Sequence, residues 1–196
     1  MKKEPDTADK KAPPRRRRAP RKPTRQSLEN AALAYLGRFA ASAKGLERVL
    51  MRRVDRAARA GIGDREEGAA LIAAIIARYR EAGLLNDAAF AEARARTLFE
   101  RGQPLRAIRM KLAQKGVGTA EIEHALATLA ANEGNGNART LDRDAAERLA
   151  RRRRLGPWRD AARRKDMRER DLAALARAGF SYGIARDVID GTDEDD

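Results

Sequence analysis

From residue 27 onward the apolar positions recur every three or four residues, and no stretch alternates strictly between apolar and polar side chains. That period belongs to amphipathic helices, not to strands. The first predicted helix covers about Leu28 to Ala41, with Ser27 as N-cap and Ala32, Tyr35, Leu36 and Phe39 on one side. The second follows Ser42, carries Leu46, Leu50, Val54 and Ala57, and ends before Gly61. Asp64 caps the third, with Glu67 at the fourth place of a D-x-x-E box. Its stripe of Leu71, Ile72, Ile75, Ile76 and Tyr79 is the strongest in the chain, and Gly83 closes it. Asn86 caps the fourth, and the Leu85–Phe90 spacing is that of a hydrophobic staple.

The fourth helix ends near Gly102, and Pro104 fits the first position of the fifth, which carries Leu105, Ile108 and Leu112. Thr119 caps the sixth, with Ile122, Leu126 and Leu129 facing in. An Asn/Gly segment over 132–137 reads as a loop. The seventh helix covers about Asp142 to Leu155 and stops at Gly156-Pro157; the eighth covers about Asp160 to Ala178, with Leu172 and Leu175 inward. Ser181 caps a short ninth with Ile184, Val188 and Ile189.

These nine helices fall into three sets of three. Gly61-Ile62-Gly63-Asp64, Gly116-Val117-Gly118-Thr119 and Gly179-Phe180-Ser181 occupy the same place in each set. A glycine stops one helix, an apolar residue follows, and a polar cap opens the next. Ala57, Leu112 and Leu175 each lie four residues before that glycine. The glycines are 55 and 63 residues apart, and the second interval holds the Asn/Gly loop. The predicted fold is therefore all-α: three tandem three-helix repeats forming an elongated, curved rod. The expected divisions are 27–83, 84–131 and 142–190, with a loop over 132–141 and an acidic frayed end over 191–196.

Composition removes several classes of function. The 196 residues include no cysteine and one histidine, His124. Disulfide frameworks, thiolate or paired-histidine metal sites and cysteine nucleophiles are excluded. No Gly-rich phosphate loop or nucleophile–base set is present, so neither an enzyme nor a bound cofactor is expected. No apolar run reaches the roughly 18 residues of a membrane span, and the basic N-terminus lacks an apolar signal core. A cytoplasmic, monomeric protein with no membrane partner is the expectation. The glutamates at 66 and 67 sit in a first helical turn, where the dipole favours carboxylates for structural reasons.

The formal charge of +14 is concentrated in two blocks. Residues 1–26 hold eleven Lys/Arg against three acids amid five prolines, and should form a disordered basic tail. Residues 148–170 also hold eleven against three, but on helices, and should present a basic face. Trp158, after Gly156-Pro157, is either packing or a platform for a base.

Gly83-Leu84-Leu85-Asn86-Asp87 with Phe90-Ala91, then Arg101-Gly102, Pro104, Ile108, Leu112 and Lys115-Gly116, resembles the RecX family of recombinase regulators. So does Gly179-Phe180-Ser181 with Ile184 and Val188-Ile189, and Ser42, Leu46 and Leu50 resemble the family's first repeat. The likeness covers about residues 30–190. The arginine- and proline-rich residues 1–26, the Asn/Gly loop and Gly45 depart from the family's pattern. The resemblance implies three tandem three-helix repeats and a modulator, without catalysis, that lies along the groove of the RecA–DNA filament. Such a modulator would restrain ATPase, extension and strand exchange in DNA repair and the SOS response.

Most signature residues are architectural, so the candidate contacts are basic. Arg94 and Arg101 share a helix side; Arg106 and Arg109 lie off the Leu105–Ile108–Leu112 stripe; Lys115 ends that helix. With Arg151, Arg152, Arg153 and Arg154, and with Arg163 and Arg164, they form a candidate strip facing recombinase and single- or double-stranded DNA. The competing reading is a basic protein that binds DNA non-specifically through phosphate contacts, with strong salt dependence.

Overall fold

The computed structural model describes residues 21–133 and 137–191. The expected basic tail lies outside the described residues as far as residue 20, and the acidic end lies outside them beyond Gly191. The described residues form nine α-helices: α1 (Arg25–Leu36), α2 (Ala43–Arg59), α3 (Arg65–Glu81), α4 (Asp87–Glu100) and α5 (Leu105–Gln114) come first. Then follow α6 (Thr119–Glu133), α7 (Ala138–Arg153), a 3₁₀ turn at Gly156–Trp158, α8 (Ala161–Ala178) and α9 (Tyr182–Asp190).

The helices pack in threes, in chain order. Helices α1–α3 form repeat 1, α4–α6 repeat 2 and α7–α9 repeat 3; α4, α5 and α6 of repeat 2 pack on α7, and repeat 1 joins repeat 2 through hydrogen bonds at helix ends. Repeat 2 stands between the other two, so the three units form a row. The sequence repeat has a physical basis in one recurring turn. The N–H of Ile62 donates to the Ala57 carbonyl at 2.9 Å, that of Val117 to Leu112 at 3.2 Å, and that of Phe180 to Leu175 at 3.3 Å. Each is the six-to-one bond that satisfies an orphan carbonyl at a helix end. It requires the preceding residue in the left-handed region, where Gly61, Gly116 and Gly179 sit at φ 70°, 81° and 104°.

Several boundaries differ from the sequence expectation. Helix α1 starts at Arg25 because Thr24, not Ser27, is its N-cap; the Thr24 and Ser27 side chains form a reciprocal capping box. The same helix stops at Leu36, capped by Gly37, so Phe39 leaves the expected stripe and is 56% exposed. Pro104 is the N-cap of α5, one residue outside the helix. Helix α7 begins four residues earlier than expected, at Ala138, because the Asn137 side chain accepts from the Arg139 N–H at 2.8 Å. Leu85 and Phe90 serve different cores: Leu85 is buried in the first, Phe90 packs against the second.

There are two cores, and they divide the row unequally. Leu28, Leu46, Leu50, Ile72, Ile75 and Tyr79 belong to a core that serves repeat 1 and reaches only Leu85 beyond it. Repeats 2 and 3 share one continuous core, from Phe99, Ile108 and Leu112 through Leu141 and Leu149 to Leu175 and Val188. Each such leucine removed from water stabilises by roughly 1.5–3 kcal/mol, so the shared core binds repeats 2 and 3 firmly.

Candidate interaction surface

The joint between repeats 1 and 2 is polar and reciprocal. Helix ends leave unpaired backbone groups, and here each repeat supplies partners for the other's helix ends. Ser42, only 1% exposed, accepts from the Gly45 N–H at 3.0 Å and donates to the Lys115 carbonyl at the end of α5 at 2.5 Å. Arg48 donates to the neighbouring Gln114 carbonyl at 2.7 Å. In return Asp87, the first residue of α4, accepts from the Ala43 N–H of α2 at 2.7 Å, while Arg80 donates to its other oxygen at 2.9 Å.

Above this joint, the space between the repeats is an open groove of about 1100 Å³. Helix α2 contributes Arg48 and Arg52, one turn apart; α4 contributes Arg94; Lys115 caps α5. Arg38 and Phe39 come from the turn after α1, where the Arg38 and Phe39 N–H groups donate to the Tyr35 carbonyl at 3.0 and 2.9 Å. Five cationic side chains line the groove and no carboxylate does. Apolar surface lies between them: Phe39 tilts 43° against Tyr35 at 5.3 Å between ring centroids, and Leu84 is 55% exposed on the wall.

Of the basic residues singled out by sequence, only Arg94 and Lys115 line this groove. Arg101 is the exposed C-cap of α4, and Arg106 lies exposed on α5. Arg109 is held by Glu123 through two hydrogen bonds of 2.7 and 2.9 Å. That pairing raises the guanidinium's pKa and lowers the carboxyl's, so much of this charge is answered locally.

A second basic group surrounds the 3₁₀ turn of repeat 3. Arg151, Arg152 and Arg153 fill the last turn of α7, where cations suit the dipole. Arg154 follows at φ 54°, ψ 55°, a left-handed conformation normally given to glycine. The Arg151 guanidinium lies 5.8 Å over the half-buried Trp158 ring, which packs against the second core. Arg164 donates to the Pro157 and Arg159 carbonyls at 2.7 and 3.0 Å, and Arg163 is exposed in the first turn of α8. Beneath them Asp171, 2% exposed, accepts twice from Arg159 and once from the Gly156 N–H. Burial pushes the Asp171 carboxyl up, but those hydrogen bonds outweigh it and hold its pKa below the usual range.

Arg38, Arg48, Arg52 and Phe39 are the functional candidates that sequence reasoning missed. A signal for two of them existed: Arg48 and Arg52 are four apart on α2 and off its Leu46–Leu50 stripe. Nothing in the pattern marks Phe39, because only the end of α1 exposes it. His124 meets Glu92 at 3.4 Å on the surface. Among the described residues no group of three or more His, Asp or Glu side chains is placed to hold a metal ion, and no helix is long and apolar enough to cross a membrane.

Comparison with known proteins gives a consistent result. Residues 86–126 match the family model described as RecX, second three-helix domain. The chain is 44% identical over 187 residues to the "Regulatory protein RecX" of Myxococcus xanthus, covering 95% of this chain and 94% of that one. It is 36% identical over 117 residues to the protein of the same name from Streptomyces coelicolor, covering 59% and 56% of the two chains. Among solved structures, RecX from Lactobacillus salivarius superposes with a TM-score of 0.55 at 25% identity, over 84% of this chain and 94% of that one.

Proposed function

Since the chain belongs to the RecX family, we propose that it binds the filament of a RecA-type recombinase on DNA and inhibits that filament's ATPase, extension and strand exchange. It acts in the cytoplasm as a monomer, in DNA repair and the SOS response, without chemistry of its own. The observation that carries the reading is the match to a RecX protein along nearly the whole chain. The surface supports it. A row of repeats offers a long face to a partner that is itself long. The basic groups at the groove and around Arg151–Arg154 give a field that speeds encounter with a nucleoprotein.

The test is the ATPase rate of preassembled recombinase filaments on excess single-stranded DNA, titrated with this protein near physiological salt. The expected outcome is inhibition well below one molecule per recombinase subunit, since so few molecules cannot mask the DNA. Inhibition that appears only when the protein coats the DNA, and fades as salt rises, would instead mean simple competition for phosphate. Charge reversal at Arg151–Arg154 is expected to weaken filament binding with helicity intact; unchanged binding would remove that cluster from the site. Arg154→Gly is expected to relieve the left-handed cost, about 1 kcal/mol, while reducing filament binding.

A further inference from the structure

The groove between repeats 1 and 2 joins its positive charge to an exposed aromatic ring, Phe39, which the recombinase reading does not use. Several surface arginines are answered by a carboxylate: Arg109 by Glu123, Arg148 by Glu133, Arg168 by Asp190. The lining of the groove offers none. Among the described residues, Arg38, Arg52, Arg94 and Lys115 make no ion pair, and the lining contains no carboxylate at all. Converging unpaired cations raise the local concentration of a polyanion.

The second feature is the aromatic ring among those cations. Phe39 is more than half exposed although it is a large apolar side chain, and its backbone is tied to Tyr35 rather than loose. Its own neighbour Tyr35 meets it edge-tilted at 43°, leaving ring surface turned to the groove. An exposed ring with Arg38 on the same turn, Arg52 on the same wall, and Arg94 and Lys115 on the opposite wall combines stacking surface with positive charge. That combination fits a single strand, whose bases are free to stack while its phosphates meet cations. It does not fit a duplex, whose base faces are already stacked on one another and cannot reach the ring.

We propose that this groove binds single-stranded nucleic acid, with a base stacked on Phe39 and the adjoining phosphates held by Arg38, Arg52, Arg94 and Lys115. The site needs no recombinase, so it stands or falls separately from the regulatory function. The joint beneath it is bridged by Ser42 and Arg48, which donate across it, and by Asp87, which accepts, so the two walls face each other without a strand present.

The test uses the full chain alone, with labelled oligo(dT) and a duplex of the same length, near physiological salt. Phe39→Ala removes the ring from an exposed position and is expected to leave the melting temperature unchanged. It should weaken oligo(dT) binding about tenfold, the lower part of the range for one stacked base, and leave duplex binding and the salt slope as they were. Phe39→Trp should restore binding, with indole fluorescence quenched by the oligonucleotide. Arg38→Ala with Arg52→Ala should flatten the salt slope for the single strand by about 0.7 for each phosphate released. Two results would overturn the proposal. One is Phe39→Ala binding oligo(dT) like the parent, or losing duplex equally. The other is Phe39→Ala losing affinity for recombinase filaments alone, which would assign the groove to a protein partner.

Discussion

The two joints of the row are built from opposite materials. Between repeats 1 and 2 the contact is made by helix ends, through Ser42, Arg48 and Asp87. Between repeats 2 and 3 it is made by a shared apolar core. Gly102 is buried at φ 67° against α7, where an added Cβ would sit 2.7 Å from the Leu149 nitrogen and 2.8 Å from the Ala145 carbonyl. Phe99 is fully buried under the Arg148 guanidinium, 4.5 Å above its ring. Polar bonds cross there too: Asp142 of α7 accepts from the Leu105 N–H at the start of α5 at 2.8 Å, and Arg148 of α7 donates to Glu133 of α6 at 3.0 Å. A buried apolar joint resists opening in proportion to the area it hides. A hydrogen-bonded joint exchanges its partners for water at small net cost. Repeats 2 and 3 should therefore open as one unit, while repeat 1 opens separately, and the groove lies at the joint that moves more easily.

Gly102→Ala attacks the firmer joint and has the largest expected effect. It combines a left-handed penalty with overpacking against backbone that cannot step aside, together about 3 kcal/mol. Denaturant melts should show the loss in the transition that covers α4–α9. A loss below about 1 kcal/mol would mean that this joint is not tightly packed.

Asp171→Ala acts inside repeat 3, away from both joints, and calibrates the scale. It leaves the Gly156 N–H unpaired and removes the carboxylate from Arg159, costing about 2 kcal/mol. Its pH dependence has a definite sign. Folding lowers this carboxyl's pKa, so its contribution is complete at neutral pH and is lost as the pH falls through the folded value. Asp171→Ala should thus narrow its deficit below about pH 4; a deficit constant with pH would sever stability from this charge.

Ser42→Ala attacks the softer joint. It removes a helix cap and the bond to Lys115, and is expected to cost about 1 kcal/mol. Hydrogen exchange should rise across α1–α3 and leave α7–α9 as in the parent. Equal rises in α7–α9 would show that the row opens as one unit, and the contrast between the joints would collapse.

Asp142→Asn is the smallest change and separates the polar bond of the second joint from its charge. Burial raises the Asp142 pKa, partly offset by the Leu105 N–H. A carboxyl raised by folding favours the fold below its unfolded pKa and loses that contribution as the pH climbs through the folded value. Asparagine keeps the acceptor without the charge. Stability at pH 7 should be equal to the parent's or higher by less than about 1 kcal/mol, and the pH dependence just above the ordinary aspartate value of about 4 should flatten. A clear loss at pH 7 would show that the charge itself holds the joint.

Much of this was legible in the chain. The caps Ser42, Asp64, Asn86 and Ser181 act where the pattern put them, accepting from N–H groups two or three residues on. The stripe of α2 and, on α5, Ile108 and Leu112 are buried as their spacing requires, Leu105 is half-buried, and the glycine turn recurs three times. Asp87 shows where the reading ran out. It follows the cap Asn86 and opens its own helix, yet its side chain caps the helix that begins 44 residues earlier. Asp142 likewise looked like the opening of α7 and instead receives the first N–H of α5, 37 residues away.

The sequence by itself determined how many helices there are, where α2, α3, α4 and α9 are capped, which face is apolar, and that one three-helix unit occurs three times. These depend on capping and side-chain periodicity, which act over about four residues. Tertiary structure alone decided which polar caps reach across a joint, which arginines find a carboxylate, and that Phe39 stands open among cations. Those outcomes depend on how one repeat docks on the next, as in the bond from Ser42 to Lys115 across 73 residues. No local propensity encodes that distance, so the groove became visible only once the repeats were placed side by side.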